Sequence, residues 1–265
     1  GWTAHLMSRG IGPRADGGPT ATWQAFDLTQ VDLPFPKVAA RVLFHTAGIG
    51  AILPWLQSVR AAGISRVVSF SSTSLLTKAN SDSVVDREMI AKLATYEQSF
   101  ISKCEQLGLQ WTILRPTMIY GGKLGDRTVM AIARVIRRLG FFPLLGGGRG
   151  LRQPVHAADL ATACRQVVDC PVTFNRIYNL GGGERLPYRK SVERIFKAPT
   201  RTPRFLPVPL AGFEFAVRVA NLHPRYRHIT SSMATRMNQD MVFSIEEARA
   251  DFGFAPRDFW PDYLH

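Results

Sequence analysis

The chain has 265 residues, 46% of them hydrophobic and 20% charged, which suits one large domain or a main domain with a small appendage and excludes wholesale disorder. No apolar run approaches the ~18 residues that a membrane-spanning helix needs. Lys and Arg outnumber Asp and Glu by 33 to 20, a formal charge of +13, yet no block of like charges is long. The excess therefore reads as a solvated basic surface, with a phosphate-bearing small molecule as the expected partner rather than nucleic acid or a membrane. Three cysteines, Cys104, Cys164 and Cys170, form no Cys-x-x-Cys pair, which indicates core thiols and a cytoplasmic setting.

Short β-branched runs alternate with helix-length amphipathic stretches, the pattern of βαβ units and a parallel sheet. Residues 3–7 predict a strand closed by Ser8-Arg9-Gly10, and a Gly/Pro-rich loop leads to a second at 22–26, followed by Asp27-Leu28. Residues 41–45 predict a buried strand ending in Thr46-Ala47-Gly48, and 53–62 a helix stopped by Gly63. Strand 66–70 ends in Ser71-Ser72-Thr73, a long helix covers 86–107, and strand 111–114 ends in Arg115-Pro116. A helix at 128–139, a glycine loop at 146–150, a helix at 157–168 and a strand at 177–180 follow. Pro and Gly thicken after residue 180. The expected organisation is a nucleotide-binding domain over 1–180 and a smaller, mostly helical lobe over 181–265, with parts of 121–155 contributing to the lobe.

Ligands of an open parallel sheet bind off the carboxyl ends of its strands. Here those ends carry small, polar or cationic residues: Ser8-Arg9, Asp27-Leu28, Thr46-Ala47-Gly48, Ser71-Ser72-Thr73 and Arg115-Pro116-Thr117. Small residues let a ligand approach the backbone, hydroxyls offer hydrogen bonds, and Arg9 offers a phosphate partner. His156 and Asp159, at a strand-to-helix junction, read as structural. Asp159 is expected to bond donors in the helix's first turn and His156 to brace the second lobe against the first. No metal-ligand spacing occurs, and the Gly146-Gly-Gly148 and Gly181-Gly-Gly183 runs read as turns rather than phosphate loops.

The order strand–Thr-Ala-Gly, strand–Ser-Ser-Thr, helix, Leu114-Arg-Pro-Thr-Met-Ile-Tyr-Gly121 and Pro154-Val-His-Ala-Ala-Asp159 resembles the short-chain dehydrogenase/reductase superfamily. It is most similar to the extended and atypical branch, the NAD(P)-dependent epimerase/dehydratase-like proteins. The resemblance covers residues 3 to about 259. It implies a Rossmann-like, doubly wound α/β fold and NADP as cofactor, with NAD as the alternative. The implied activity is that of an oxidoreductase or epimerase on a nucleotide-sugar-like or other oxygenated metabolite. By the same resemblance Ser8 and Arg9 follow the second strand, where an Arg suits a 2′-phosphate. Asp27 and Leu28 fall beside the adenine, and Thr46, Ala47 and Gly48 along the ribose and diphosphate. Ser71 lies at the strand end that carries the catalytic hydroxyl, assigned to Ser72, and Arg115, Pro116 and Ile119 belong to the loop against the nicotinamide. The second lobe, with Tyr188, Arg204 and Arg225, is expected to close over the substrate.

Two departures from the family pattern stand out. The family's Tyr-x-x-x-Lys pair, in which the Lys lowers the Tyr pKa, is absent. Lys92 is preceded four residues earlier by Glu88, while Tyr96 is followed four residues later by Phe100. Glu88, Lys92 and Tyr96 are the helix candidates beside Ser72, and a catalytically inactive NADP-binding sensor or scaffold subunit is the competing reading. The family also opens with a strand, a Gly-x-x-Gly-x-x-Gly turn and a helix that cradle the pyrophosphate. This chain opens just before the equivalent of the second strand. About 20 residues of that unit are expected to be missing, with weakened cofactor binding. Met89, Ile90, Leu93, Phe100 and Ile101 on the long helix suit either a homodimer contact or packing on the sheet.

Overall fold

A computed structural model describes residues 4–8, 21–79, 81, 83–122, 127–198, 200–209 and 236–261, with Ser8 and Arg127 described by backbone alone. In chain order its elements begin with β1 (Ala4–Ser8), β2 (Ala21–Ala25), β3 (Val42–His45), and a 3-10 segment (Ile49–Trp55) running into α1 (Leu56–Ala61). Next come β4 (Arg66–Phe70), α2 (Ser74–Thr77), α3 (Val84–Gln106), β5 (Gln110–Pro116), β6 (Ile119–Tyr120), α4 (Arg127–Leu139) and β7 (Phe142–Leu145). The chain continues through β8 (Leu151–Arg152), β9 (Val155–His156), α5 (Ala157–Val168), β10 (Arg176–Leu180), β11 (Leu186–Pro187), α6 (Tyr188–Lys197), β12 (Phe205–Val208) and α7 (Glu246–Phe252).

The α/β alternation resolves into two compact units. One holds Gly1–Ser71, Lys92–Leu114 and Phe174–Ile177; the other holds Ser72–Ala91, Arg115–Thr173 and Tyr178–His265. In the first unit β3, β4 and β5 pair in parallel, with Val42 opposite Arg66 and Arg66 opposite Gln110. β10 flanks β5, so the strand order is β10-β5-β4-β3. β1 and β2 pair in parallel with each other as a separate two-stranded sheet, which leaves β3 at the edge of the four-stranded one.

The central strand β4 is buried from Arg66 to Ser69, and Val67 joins Ile113, Trp111, Leu56 and Val59 in one apolar core. From α3 the same core takes Phe100 and Cys104, with Leu93, Tyr96 and Ile101 packed against it. A buried Phe of this kind contributes roughly 1.5–3 kcal/mol by leaving water. Phe26, Phe35 and Trp55 interlock, with centroids 4.8 Å apart between Phe26 and Trp55 and 5.7 Å between Phe26 and Phe35. Trp55 Nε1 also donates to the Leu28 carbonyl at 3.0 Å and so fixes the loop after β2. The expected helix at 53–62 begins instead as 3-10 turns at Ile49 and becomes α-helical only from Leu56. Pro54 is the cause, because it has no N–H for an α-helical ladder.

The second unit has its own core. Val129, Ile132 and Ile136 of α4 meet Val192, Ile195 and Phe196 of α6, together with Tyr120, Phe142 and Phe259. β7 and β12 pair in parallel, Phe142 opposite Phe205. Gly146, Gly147 and Gly148 make a turn with φ of 59°, 84° and 60°. Gly181 and Gly182 fold against Gln153 and Pro154, and Gly183 against the Pro256 carbonyl, each neighbour occupying the space where a Cβ would stand. The described part of 181–265 carries β11, α6, β12 and α7, with a helical turn at 236–238.

Candidate active site

In the first unit the carboxyl ends of β3 and β4 converge on a small-residue surface. His45, the last residue of β3, is buried, and its Nε2 donates to the Gly48 carbonyl at 3.1 Å. Burial holds its pKa below the ordinary 6.5, against the opposing effect of that carbonyl, so the ring is neutral near neutral pH. The bond clamps the turn between them, which leaves Thr46, Ala47 and Gly48 exposed. Gly48 has φ −60° and ψ 131°, a conformation open to any residue, and a Cβ there would meet nothing within 4 Å. Beside β3, Ser71 at the end of β4 donates its amide to the Leu114 carbonyl at 2.9 Å. Its buried hydroxyl has no partner among the described residues.

The other first-unit candidates fall into two groups. Asp27 Oδ1 accepts from Thr29 N at 2.9 Å and Thr29 Oγ1 at 2.8 Å. These bonds make a local turn that employs one carboxylate oxygen of the residue assigned to the adenine. Leu28 packs into the core and lends its carbonyl to Trp55. On α3, Lys92 Nζ lies 5.6 Å from the centroid of the Tyr96 ring, and that ring lies flat against Gly50. A Cβ on Gly50 would stand 2.5 Å from the ring, so only glycine permits this approach.

The second unit holds the remaining candidates. Ser72 Oγ accepts from Ser74 N at 3.1 Å, an arrangement that leaves its proton for donation. Thr73 differs: its Oγ1 donates to the Pro116 carbonyl at 3.1 Å. Glu88 is exposed on the first turns of α3. Arg115 is half-buried and Pro116 buried at the end of β5. Ile119, expected in a loop, lies in β6 opposite Val155 of β9, in a two-stranded sheet separate from that of β5. The His156 ring sits over Gly121, at φ 72°, and its Nδ1 accepts from Ala158 N at 3.0 Å, capping α5.

Asp159 requires a correction. Instead of bonding within the first turn of α5, it accepts from Arg257 N at 3.0 Å and Arg257 Nε at 2.9 Å, so it ties down the C-terminal segment. Tyr188 stacks near the Arg152 guanidinium, 5.2 Å from the ring centroid. Burial pushes its phenol up to about 12, with Arg152 opposing, so it stays protonated and serves packing. Arg204 is exposed. Arg9 and Arg225 lie outside the described residues, as does the side chain of Ser8.

Among the described residues no cluster of His, Cys, Asp or Glu could hold a metal ion, and no helix is long and apolar enough to cross a membrane. Burial raises the Cys104 and Cys164 thiols to about 12, so neither supplies a thiolate at neutral pH. Sequence reasoning passed over His45 and Gly50. The signal for the first was present, a His three residues before a strand-end glycine, but a lone His carries no sign of what its ring will bond.

More than half of the chain, residues 41–181, matches the NAD dependent epimerase/dehydratase family, and the chain belongs to that family. It is similar to the uncharacterized protein y4nG of Sinorhizobium fredii (strain NBRC 101917 / NGR234), with 25% identity over 247 residues. That similarity covers 87% of this chain and 60% of the relative, so the chain spans well under two thirds of the length of that curated relative. Its fold is similar to that of a UDP-glucuronic acid 4-epimerase from Bacillus cereus in complex with NAD, at a TM-score of 0.71 and 12% identity, covering 99% of this chain and 86% of that one. It is also similar to RMD from Pseudomonas aeruginosa complexed with NADPH, at a TM-score of 0.66 and 14% identity, covering 99% and 97%. These likenesses establish the Rossmann-like α/β fold that the sequence motifs implied.

Proposed function

We propose that this chain binds a nicotinamide dinucleotide, NADP(H) in preference to NAD(H), and acts in epimerase, dehydratase or reductase chemistry on a nucleotide-sugar-like or other oxygenated metabolite. The observation that carries the reading is the exposed Thr46-Ala47-Gly48 end of β3. It is clamped by His45, is open above Gly48, and lies on the strand next to the unpartnered Ser71 hydroxyl. That surface fits a dinucleotide, since backbone can approach the ligand closely and one buried hydroxyl lacks the partner a ligand oxygen would provide. When bound, the cofactor supplies the site that accepts and returns a hydride.

The protein's own groups would do the rest. Thr46, Ala47, Gly48 and Ser71 hold the cofactor, while Arg9 is assigned to the 2′-phosphate. Lys92 and Tyr96, with the ammonium 5.6 Å from the ring centroid, are the helix residues assigned to proton exchange with the substrate. Ser72 retains a proton to donate to a substrate oxygen, whereas Thr73 has given its own to Pro116. Glu88 is the additional acid/base candidate, Asp27 and Leu28 border the adenine, and Arg115, Pro116 and Ile119 border the nicotinamide. Residues 181–265 form the substrate lobe.

Fluorescence titration with NADPH and NADH tests this reading. We expect saturable binding, tighter for NADPH, and at least a ~10-fold loss in Gly48→Val, equivalent to about 1.4 kcal/mol. The melting temperature of that variant should be unchanged, because its Cβ enters open space. Absence of binding, or equal affinity in the variant, would overturn the proposal.

A further inference from the structure

The sequence scatters its cations, but the fold of the second unit gathers five of them at one end. α4 finishes in Arg137-Arg138-Leu139, and α6 finishes in Lys197. Arg201 N then donates to the Phe196 carbonyl at 3.0 Å, and the Arg204 carbonyl accepts from Phe142 N at 2.9 Å. These bonds, the contact of Phe196 with Phe205 (5.8 Å between centroids) and the pairing of Phe205 with Phe142 bring the end of α6 and the starts of β7 and β12 together. Arg137, Arg138, Lys197, Arg201 and Arg204 are all exposed. The segments 127–158 and 194–208 contain no Asp or Glu. Among the described residues no carboxylate lies in ion-pair range of any of the five. Two large apolar side chains stand in the same stretches: Leu139 is 47% exposed and Leu206 49%.

Helix dipoles account for cations in the last turns of α4 and α6, but not for Arg201 and Arg204 in an irregular stretch, nor for exposed leucines among them. We infer that this end of the second unit docks on an anionic lipid surface, with Leu139 and Leu206 entering the headgroup region and the five cations facing lipid phosphates. A nucleic acid would use the cations and leave both leucines in water, whereas a lipid interface employs both kinds of side chain. The inference is independent of the dinucleotide site.

The test is co-sedimentation of the full chain with vesicles of phosphatidylcholine alone or mixed with phosphatidylglycerol. Binding is expected only to the anionic vesicles, falling steeply between about 50 and about 300 mM salt. The Arg201→Gln/Arg204→Gln variant should lose about 25-fold, about five-fold per cation. Leu139→Ser/Leu206→Ser should weaken binding while keeping the salt dependence, and all these substitutions are at exposed positions that leave the melting temperature in place. Equal binding to neutral vesicles, or anionic binding unaffected by both variants, would overturn the inference. So would preferential binding to duplex DNA that the leucine variant leaves unchanged.

Discussion

His45 illustrates how a single buried side chain sets the shape of the candidate site. Its ring can hold the Gly48 carbonyl as a neutral donor, and burial favours that neutral form. The folded-state pKa therefore lies below the ordinary 6.5 of the unfolded chain. Above pH 6.5 both states are neutral and the full stability is present. As pH falls below 6.5 the unfolded chain takes up a proton that the folded protein refuses, and stability declines until the folded pKa is reached, by up to about 1.4 kcal/mol per pH unit. Melting temperatures measured across this range should fall on the acid side, and His45→Gln, which keeps a donor for Gly48, should flatten the slope. An unchanged slope in the variant would assign the acid sensitivity to another group. Sequence offered little access to this residue, just as it gave Asp159 a local partner when the real one, Arg257, is 98 positions away. A side chain's bonding partner is a product of tertiary packing, which no local pattern encodes.

Elements were far more legible. β4 and α5 match their predicted limits because hydrophobic runs and strand-to-helix junctions are local signals. The start of α1 was misplaced because one proline alters the hydrogen-bonding pattern without disturbing the apolar spacing. What sequence patterning hid was the difference in environment between neighbouring strands. β4 is central and buried, whereas β3 is at the sheet edge with Phe44 39% exposed. An edge strand with an exposed aromatic invites strand-to-strand association. Phe44→Lys should suppress concentration-dependent light scattering while changing stability by only about 0.5 kcal/mol. Scattering that persists unchanged would place the association elsewhere.

Among the described residues, two apolar cores organise the chain, one built around β4 and α3 and the other around α4 and α6. The sequence motifs that implied an epimerase/dehydratase-like fold are spread over both, which is why the family could be read from the chain although neither core is continuous in sequence. The proposed function rests on one local feature, a dinucleotide seated on the exposed end of β3. Hydrogen exchange of the full chain with and without NADPH tests it most directly. Slowed exchange is expected over residues 46–52, where His45 and Gly48 fix the backbone. Unchanged exchange there at saturating NADPH, with protection confined to other segments, would contradict it.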